Sequence, residues 1–177
     1  MKTIYVDGEE LVARCNGLMD GHVSYKLGAK AAVSKEPSEI AEIDCSGFLQ
    51  YVLFHAAHAK IKGGSWYQNK WCEDEGFAAV DYDTAGPRRD NILRLGYFSK
   101  KSGMTAGHIW LLLNGETLES YSGGTKHGPG RRPWDTKALK KNVDSCYELG
   151  PCKKLVMTTG LFPQCTIVNM DMTDSWE

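Results

Sequence analysis

The run Gly107-His108-Ile109-Trp110-Leu111-Leu112-Leu113-Asn114-Gly115 constrains this chain more than any other stretch. Ile109 to Leu113 are apolar without a break, and a strand of that kind has to be covered on both faces. Asn114-Gly115 is the pair that a two-residue hairpin asks for, because both central residues of such a turn take positive φ. Glu116 to Tyr121 is therefore predicted to return antiparallel beside the first strand. A buried hairpin at the centre of a chain needs further layers on either side of it.

The residues ahead of the hairpin supply helices. Leu11, Val12, Cys15, Leu18 and Met19 share one helical face between Glu9 and Met19, and Asp20-Gly21 stops that helix. An alternating stretch, Val23 to Gly28, and a polar connector then lead to a second helix. Its face is Phe48, Leu49, Val52, Leu53 and Ala56, running from Cys45 to about Ala59, with Gly63-Gly64 as its end. Ser65 is placed to cap a third, short helix carrying Trp66, Tyr67, Trp71 and Cys72, whose aromatic density reads as a satellite packing cluster in preference to one wall of a groove. Further strands are expected at Leu93–Phe98, Val143–Leu149, Lys154–Thr159 and Cys165–Met170. Asp135 or Thr136 is placed to cap a turn of helix through Lys141, and 123–133 reads as a Gly-Pro-Arg loop. Helices first and a meander of strands second describe an α+β fold, its N-terminal helices packed on a central antiparallel sheet. All 177 residues read as one domain, with a core over about 10–125 and with 125–177 completing or covering the sheet.

Composition narrows the function classes. With 21 basic against 22 acidic residues there is no field to attract nucleic acid or anionic lipid. The pairs Arg88-Arg89, Lys100-Lys101, Arg131-Arg132, Lys140-Lys141 and Lys153-Lys154 are scattered, and each is expected to be solvated. No apolar run approaches the length of a membrane span, and the first ten residues lack the apolar core of a secretory signal. The expectation is a soluble chain made in the cytoplasm and not inserted in a membrane. Of six cysteines none shows Cys-x-x-Cys spacing, and Cys146 and Cys152 are the pair that would close a small loop in an oxidising compartment. His55 and His58 lie three apart without a third ligand nearby, so no metal and no cofactor is expected.

Cys45 stands where a polar, turn-rich segment meets an apolar helix. The unpaired N–H groups and positive dipole end of a helix N-terminus favour negative charge, whether a thiolate or an oxyanion. A thiolate nucleophile needs a base, and the base needs an orienting group. His108 opens the strongest strand and Glu119 lies on the returning one, within a few residues of being opposite it, so a carboxylate is within reach of the imidazole.

Asp44-Cys45-Ser46-Gly47-Phe48, followed by Gly107-His108-Ile109 at the head of a hydrophobic strand and then a hairpin with a polar residue, resembles the NlpC/p60 superfamily of papain-like cysteine peptidases. Tyr25-Lys26-Leu27-Gly28 is similar to the Tyr-x-x-Gly element that precedes the cysteine motif there. The likeness covers about 10–125. It implies Cys45 as nucleophile, His108 as general base and then acid, and a third polar residue orienting the imidazole. That place is commonly histidine, whereas here it falls on Glu119, one position tighter; glutamate occurs in relatives, including the CHAP amidases. The resemblance also sets Tyr25, Asp44 and Ser46 around the substrate amine and the oxyanion. The Pro-Gly-Asp element often found before the histidine strand is missing near Leu95-Gly96-Tyr97. Cysteine before histidine matches the peptidase and amidase branch, not the permuted lecithin:retinol acyltransferase type.

By resemblance, the expected activity is hydrolysis of an amide in peptidoglycan stem peptides, between γ-D-glutamyl and the diamino acid. The expected setting is an antibacterial effector of a type VI secretion system, acting as a monomer in the periplasm of a target bacterium, with an immunity protein as partner. Two other readings fit the same residues: a deamidase, acyltransferase or protease acting on protein or lipid, and a catalytically silent binding module.

Overall fold

The computed structural model describes residues 1–123 and 126–155. After a two-residue strand, β1 (Val6–Asp7), the Asp7 carboxylate accepts from the amides of Glu9 and Glu10 and so starts α1 (Gly8–Met19). Leu11, Cys15 and Leu18 are its buried stripe, while Val12 and Met19 are only partly covered. Val23 to Gly28 forms no strand; it runs extended, with a single bridge from Ser24 to Glu42.

Asp44 caps α2 (Cys45–Ala57), accepting from the Gly47 amide at 2.7 Å. The helix stops at His58, which takes the left-handed conformation (φ 52°), several residues before the expected glycine stop. Phe48, Leu49, Val52 and Leu53 are each 0% exposed. At about 1.5–3 kcal/mol for each such side chain, this face is what fixes α2 against the sheet. Next comes α3 (Ser65–Glu75), which starts from Gly64 rather than from a side-chain cap and ends at Gly76. Two residues form β2 (Ala78–Ala79), and a short α4 (Tyr82–Ala85) follows.

The remaining strands are β3 (Ile92–Phe98), β4 (His108–Leu113), β5 (Glu116–Gly123), β6 (Lys126–Gly130) and β7 (Ser145–Lys153), with α5 (Lys137–Asn142) between the last two. The sheet order is β1-β7-β3-β4-β5-β6, antiparallel except for β1 against β7, and β2 also pairs with β7. β4 is central and covered on both faces. Ile109, Leu111 and Leu113 join the main core under α1 and α2, and Trp110 and Leu112 join a second cluster with Tyr82, Phe98 and Leu139.

One expectation changes, one open question closes, and one lies mostly outside the described residues. Residues 126–130 of the Gly-Pro-Arg segment are a strand, paired so that Gly130 faces Glu119. Cys146 and Cys152 are both free, and one strand carries both, so an extended backbone holds them roughly 20 Å apart, well past the reach of a disulfide. Lys154 ends β7 in the left-handed region (φ 66°), and the rest of the expected strand beyond Leu155, with that at Cys165–Met170, lies outside the described residues.

Candidate active site

Cys45 is the first residue of α2 and 5% exposed. Its position is set by Asp44, whose buried carboxylate uses both oxygens inside the protein. Oδ1 accepts from the Gly47 amide and the Ser46 hydroxyl (3.0 Å), and Oδ2 from the Gly28 amide (2.9 Å) and the Lys30 ammonium. One carboxylate thus ties the 28–30 loop to the first turn of the helix. Gly47 permits that approach, because a Cβ there would sit 2.7 Å from the Ala29 carbonyl. From the other side, buried Gln68 donates to the Ser46 carbonyl at 2.7 Å.

His108 heads β4. The pairing Leu111↔Leu118, Leu112↔Thr117, Leu113↔Glu116, carried on by one step, puts Glu119 opposite Trp110 on the face that His108 shares. His108 and Glu119 are then diagonal neighbours, a distance that a glutamate side chain spans. The His108 Nε2 to Glu119 Oε2 separation is 2.5 Å. Beneath the imidazole lies the Trp110 ring, stacked at 5.7 Å and 19°. Trp110 in turn covers Gly96 of β3, where a Cβ would come within 2.4 Å of the indole. A missing side chain in β3 therefore seats the ring that seats His108.

With Nε2 committed to Glu119, Nδ1 is the nitrogen left for the thiol, and the Cys45 side chain is in hydrogen-bonding reach of both His108 and the Tyr25 hydroxyl. Burial disfavours the imidazolium, but the hydrogen bonds to Cys45 and Glu119 and the glutamate charge outweigh it, raising His108 from 6.5 to about 9. Glu119 is 0% exposed, which alone would push its carboxyl up. Hydrogen bonds from His108 and Arg132, with their charges, instead bring it down to about 2. The Tyr25 hydroxyl is raised by burial and by the neighbouring Cys45 and Asp44, which keeps it a donor.

Arg132 is the residue that the sequence reading misplaced. Expected to be solvated as one of a basic pair, it grips Glu119 with Nε to Oε1 at 2.8 Å and Nη2 to Oε2 at 2.6 Å, and its guanidinium lies 4.2 Å over the Tyr121 ring. Thr117 completes the cage, donating to Glu119 Oε1 at 2.5 Å and accepting from the Arg132 amide at 3.0 Å. The signal available in the sequence was the return of the chain after Pro129-Gly130, which brings Arg132 back beside the strand that carries Glu119.

A cavity of about 330 Å³ opens beside His108, with Tyr25, Met104, Tyr121, Arg132 and Leu139 among its walls. The structure thus brings Cys45, His108, Glu119 and Tyr25 together, and it sets Asp44 (4% exposed) and Ser46 (2% exposed) beneath them. Trp66 and Tyr67, expected to pack, are instead 57% and 54% exposed, since α3 turns Gln68 and Cys72 inward. No helix among the described residues is long and apolar enough to cross a membrane.

Neither a protein-family model nor a curated protein matches the sequence. The likeness to known proteins is one of fold. A lipoprotein-like member of the NLP/P60 family from Staphylococcus aureus superposes with a TM-score of 0.53 at 13% identity, over 83% of this chain and 43% of that one. An NlpC/P60 family protein from Bacillus cereus superposes with a TM-score of 0.53 at 16% identity, over 80% of this chain and 39% of that one. The chain spans less than half the length of either structure. The NlpC/P60 fold is the fold of this protein.

Proposed function

We propose that the protein is a cysteine hydrolase that cleaves an amide in peptidoglycan stem peptides, at the bond between γ-D-glutamyl and the diamino acid. The observation that carries the reading is the line Cys45–His108–Glu119, a helix-N-terminal thiol facing an imidazole whose far nitrogen is held at 2.5 Å by a buried carboxylate. In the proposed reaction the Cys45 thiol gives its proton to His108 Nδ1 and the sulfur attacks the amide carbonyl. The Cys45 and Ser46 amides in the first turn of α2, which helix geometry leaves without carbonyl partners, receive the oxyanion. His108 then protonates the departing amine as the C–N bond breaks, leaving a thioester on Cys45. Water, losing its proton to His108, attacks the thioester, and the proton returns to the sulfur as the acid leaves. Glu119 keeps Nδ1 aimed at the sulfur and balances the imidazolium charge.

The same proposal places the enzyme where its substrate is, as a secreted effector working on the wall of a target bacterium. Purified sacculi incubated with the native protein and with Cys45→Ala, followed by mass analysis of soluble fragments, test it. Stem-peptide fragments cut at the γ-D-glutamyl bond are expected with the native protein alone. The absence of any Cys45-dependent fragment would refute the reading.

A further inference from the structure

Resting on the hydrolase reading above, we propose that Arg132 is a positioning residue for the reaction: it locks the Glu119 carboxylate in place and shares its charge, so that Glu119 aims His108 without holding the imidazole proton too firmly to pass it on. Two cationic donors meet on one carboxylate oxygen. His108 Nε2 at 2.5 Å and Arg132 Nη2 at 2.6 Å both reach Glu119 Oε2. Arg132 Nε takes the other oxygen, Oε1, at 2.8 Å, and the Thr117 hydroxyl donates to that same oxygen at 2.5 Å. The arginine is itself clasped to β5 in both directions, since its amide donates to Thr117 Oγ1 at 3.0 Å and its carbonyl accepts from the Thr117 amide at 2.8 Å. Its guanidinium lies 4.2 Å over the Tyr121 ring.

Two consequences follow for the proton. The last torsion of a glutamate is soft, and a carboxylate bonded through one oxygen alone turns freely about it. A guanidinium fork on both oxygens fixes the plane, so Oε2 stays on Nε2 and Nδ1 stays turned towards the sulfur. The second consequence is electrostatic. An imidazolium beside a bare, buried carboxylate is a poor acid, and a group that must take a proton from Cys45 and return it to a departing amine works best when it holds that proton neither too weakly nor too strongly. Arg132 is always charged, repels the imidazolium and divides its counter-charge. Glu119 is fully buried, which strengthens each of these interactions. Among the described residues Glu119 forms ion pairs with His108 and Arg132 alone, so without the arginine its whole charge would fall on the histidine. The other neighbours bring little charge of their own. Cys45 and Tyr25 face His108, and Tyr82 of α4 stands near Glu119 and Arg132; burial raises both tyrosine hydroxyls, which keeps them neutral. Asp44, near Tyr25, is already paired with Lys30.

The test follows His108 directly. Its ring protons are titrated by NMR in the native protein, in Arg132→Met, in Arg132→Gln and in Arg132→Lys, and the same proteins are assayed against the tripeptide L-alanyl-γ-D-glutamyl-diaminopimelate over a range of pH. Loss of the guanidinium, in Met or Gln, is expected to move the His108 titration upward by about one unit, to carry the limb of the kcat/KM profile that His108 governs the same way, and to lower kcat about ten- to a hundredfold with KM within about twofold. Arg132→Lys keeps the charge and loses the fork, so its titration should stay near the native one while kcat falls about tenfold. A titration that stays in place or moves down in the neutral variants, with native far-UV circular dichroism, overturns the proposal even if kcat falls, because the arginine would then be a brace for the fold alone. An unchanged kcat in Arg132→Lys overturns it independently of whether the neutral variants fold. The titration stands apart from turnover: an upward shift in the neutral variants without Cys45-dependent cleavage by the native protein refutes the hydrolase reading and leaves the link between Arg132 and His108 in place.

Discussion

Two arginine–carboxylate clusters lie on the same face of the sheet, and they are finished differently. Arg94 in β3 uses every donor: Nε on Glu148 (3.1 Å), Nη1 on Asp90 (3.0 Å) and the Ile92 carbonyl (3.4 Å), Nη2 on Asp90 (2.6 Å) and Glu148 (2.8 Å). Its side chain is 1% exposed. Arg132 spends only one edge, is 22% exposed, and the carboxylate that it grips faces a histidine. A closed cluster joins β3 to β7. The open one has an ionisable neighbour at one end and unused donors at the other, which is where chemistry and binding become available.

The largest effect that separates them is expected at Glu119→Gln. The amide keeps the size of the carboxylate but replaces an acceptor by a donor, so either His108 or Arg132 meets a donor where it had an acceptor. Turnover should fall about 10³- to 10⁴-fold, as when an orienting carboxylate is lost from a triad, with KM little changed and the far-UV circular dichroism native. Unaltered turnover would move the orienting role off Glu119.

The complementary change is Arg94→Met. It leaves Asp90 and Glu148 without their common partner, and both are partly exposed, at 32% and 25%, so the cost should fall at the low end for a broken buried pair, about 3 kcal/mol. Urea unfolding should show that loss while turnover per folded molecule stays within about twofold of the native protein. A fall in turnover at unchanged stability would erase the distinction between the clusters.

How much of this was legible depended on the range of each interaction. The β4–β5 hairpin and the buried faces of α1 and α2 were readable because apolar spacing and Asn114-Gly115 are local signals, and His108 and Glu119 sit on that hairpin. Arg132 was not readable, because its partner lies thirteen positions back and they meet only once β6 sets its register on β5. Val23–Gly28 alternates like a strand, yet its backbone is consumed by loop contacts such as Tyr25 N to His127 O and Gly28 N to Asp44. Trp66 and Tyr67 announce burial by composition, but the rotation of α3 is decided by Gln68 reaching the Ser46 carbonyl.

The smallest effect distinguishes the clusters by pH. His108 is raised from 6.5 to about 9, so folding favours its charged form; that contribution is complete below 6.5 and is lost as pH rises towards 9. Its size is at most about 3 kcal/mol. Glu119, lowered from 4.5 to about 2, contributes above 4.5 and loses its contribution as pH falls towards 2. In the Arg94 cluster Asp90 is lowered, so its contribution fails on the acid side, and Arg94 is raised, so its contribution fails only in strong alkali, beyond the range of any imidazole. Of the two clusters, only the one in the cleft loses stability between pH 7 and 9; His22, raised by its hydrogen bond to the Pro37 carbonyl and by Asp20, titrates in the same direction outside both and contributes alike to every variant. Urea midpoints should decline across that range in the native protein and in Arg94→Met, and much less in Glu119→Gln, where the imidazolium has lost its counter-charge. The His108 ring protons, followed by NMR, should titrate near 9 in the first two proteins and lower in the third. An equally steep decline in Glu119→Gln would place the titrating group outside the cleft and leave the two clusters alike in their response to alkali.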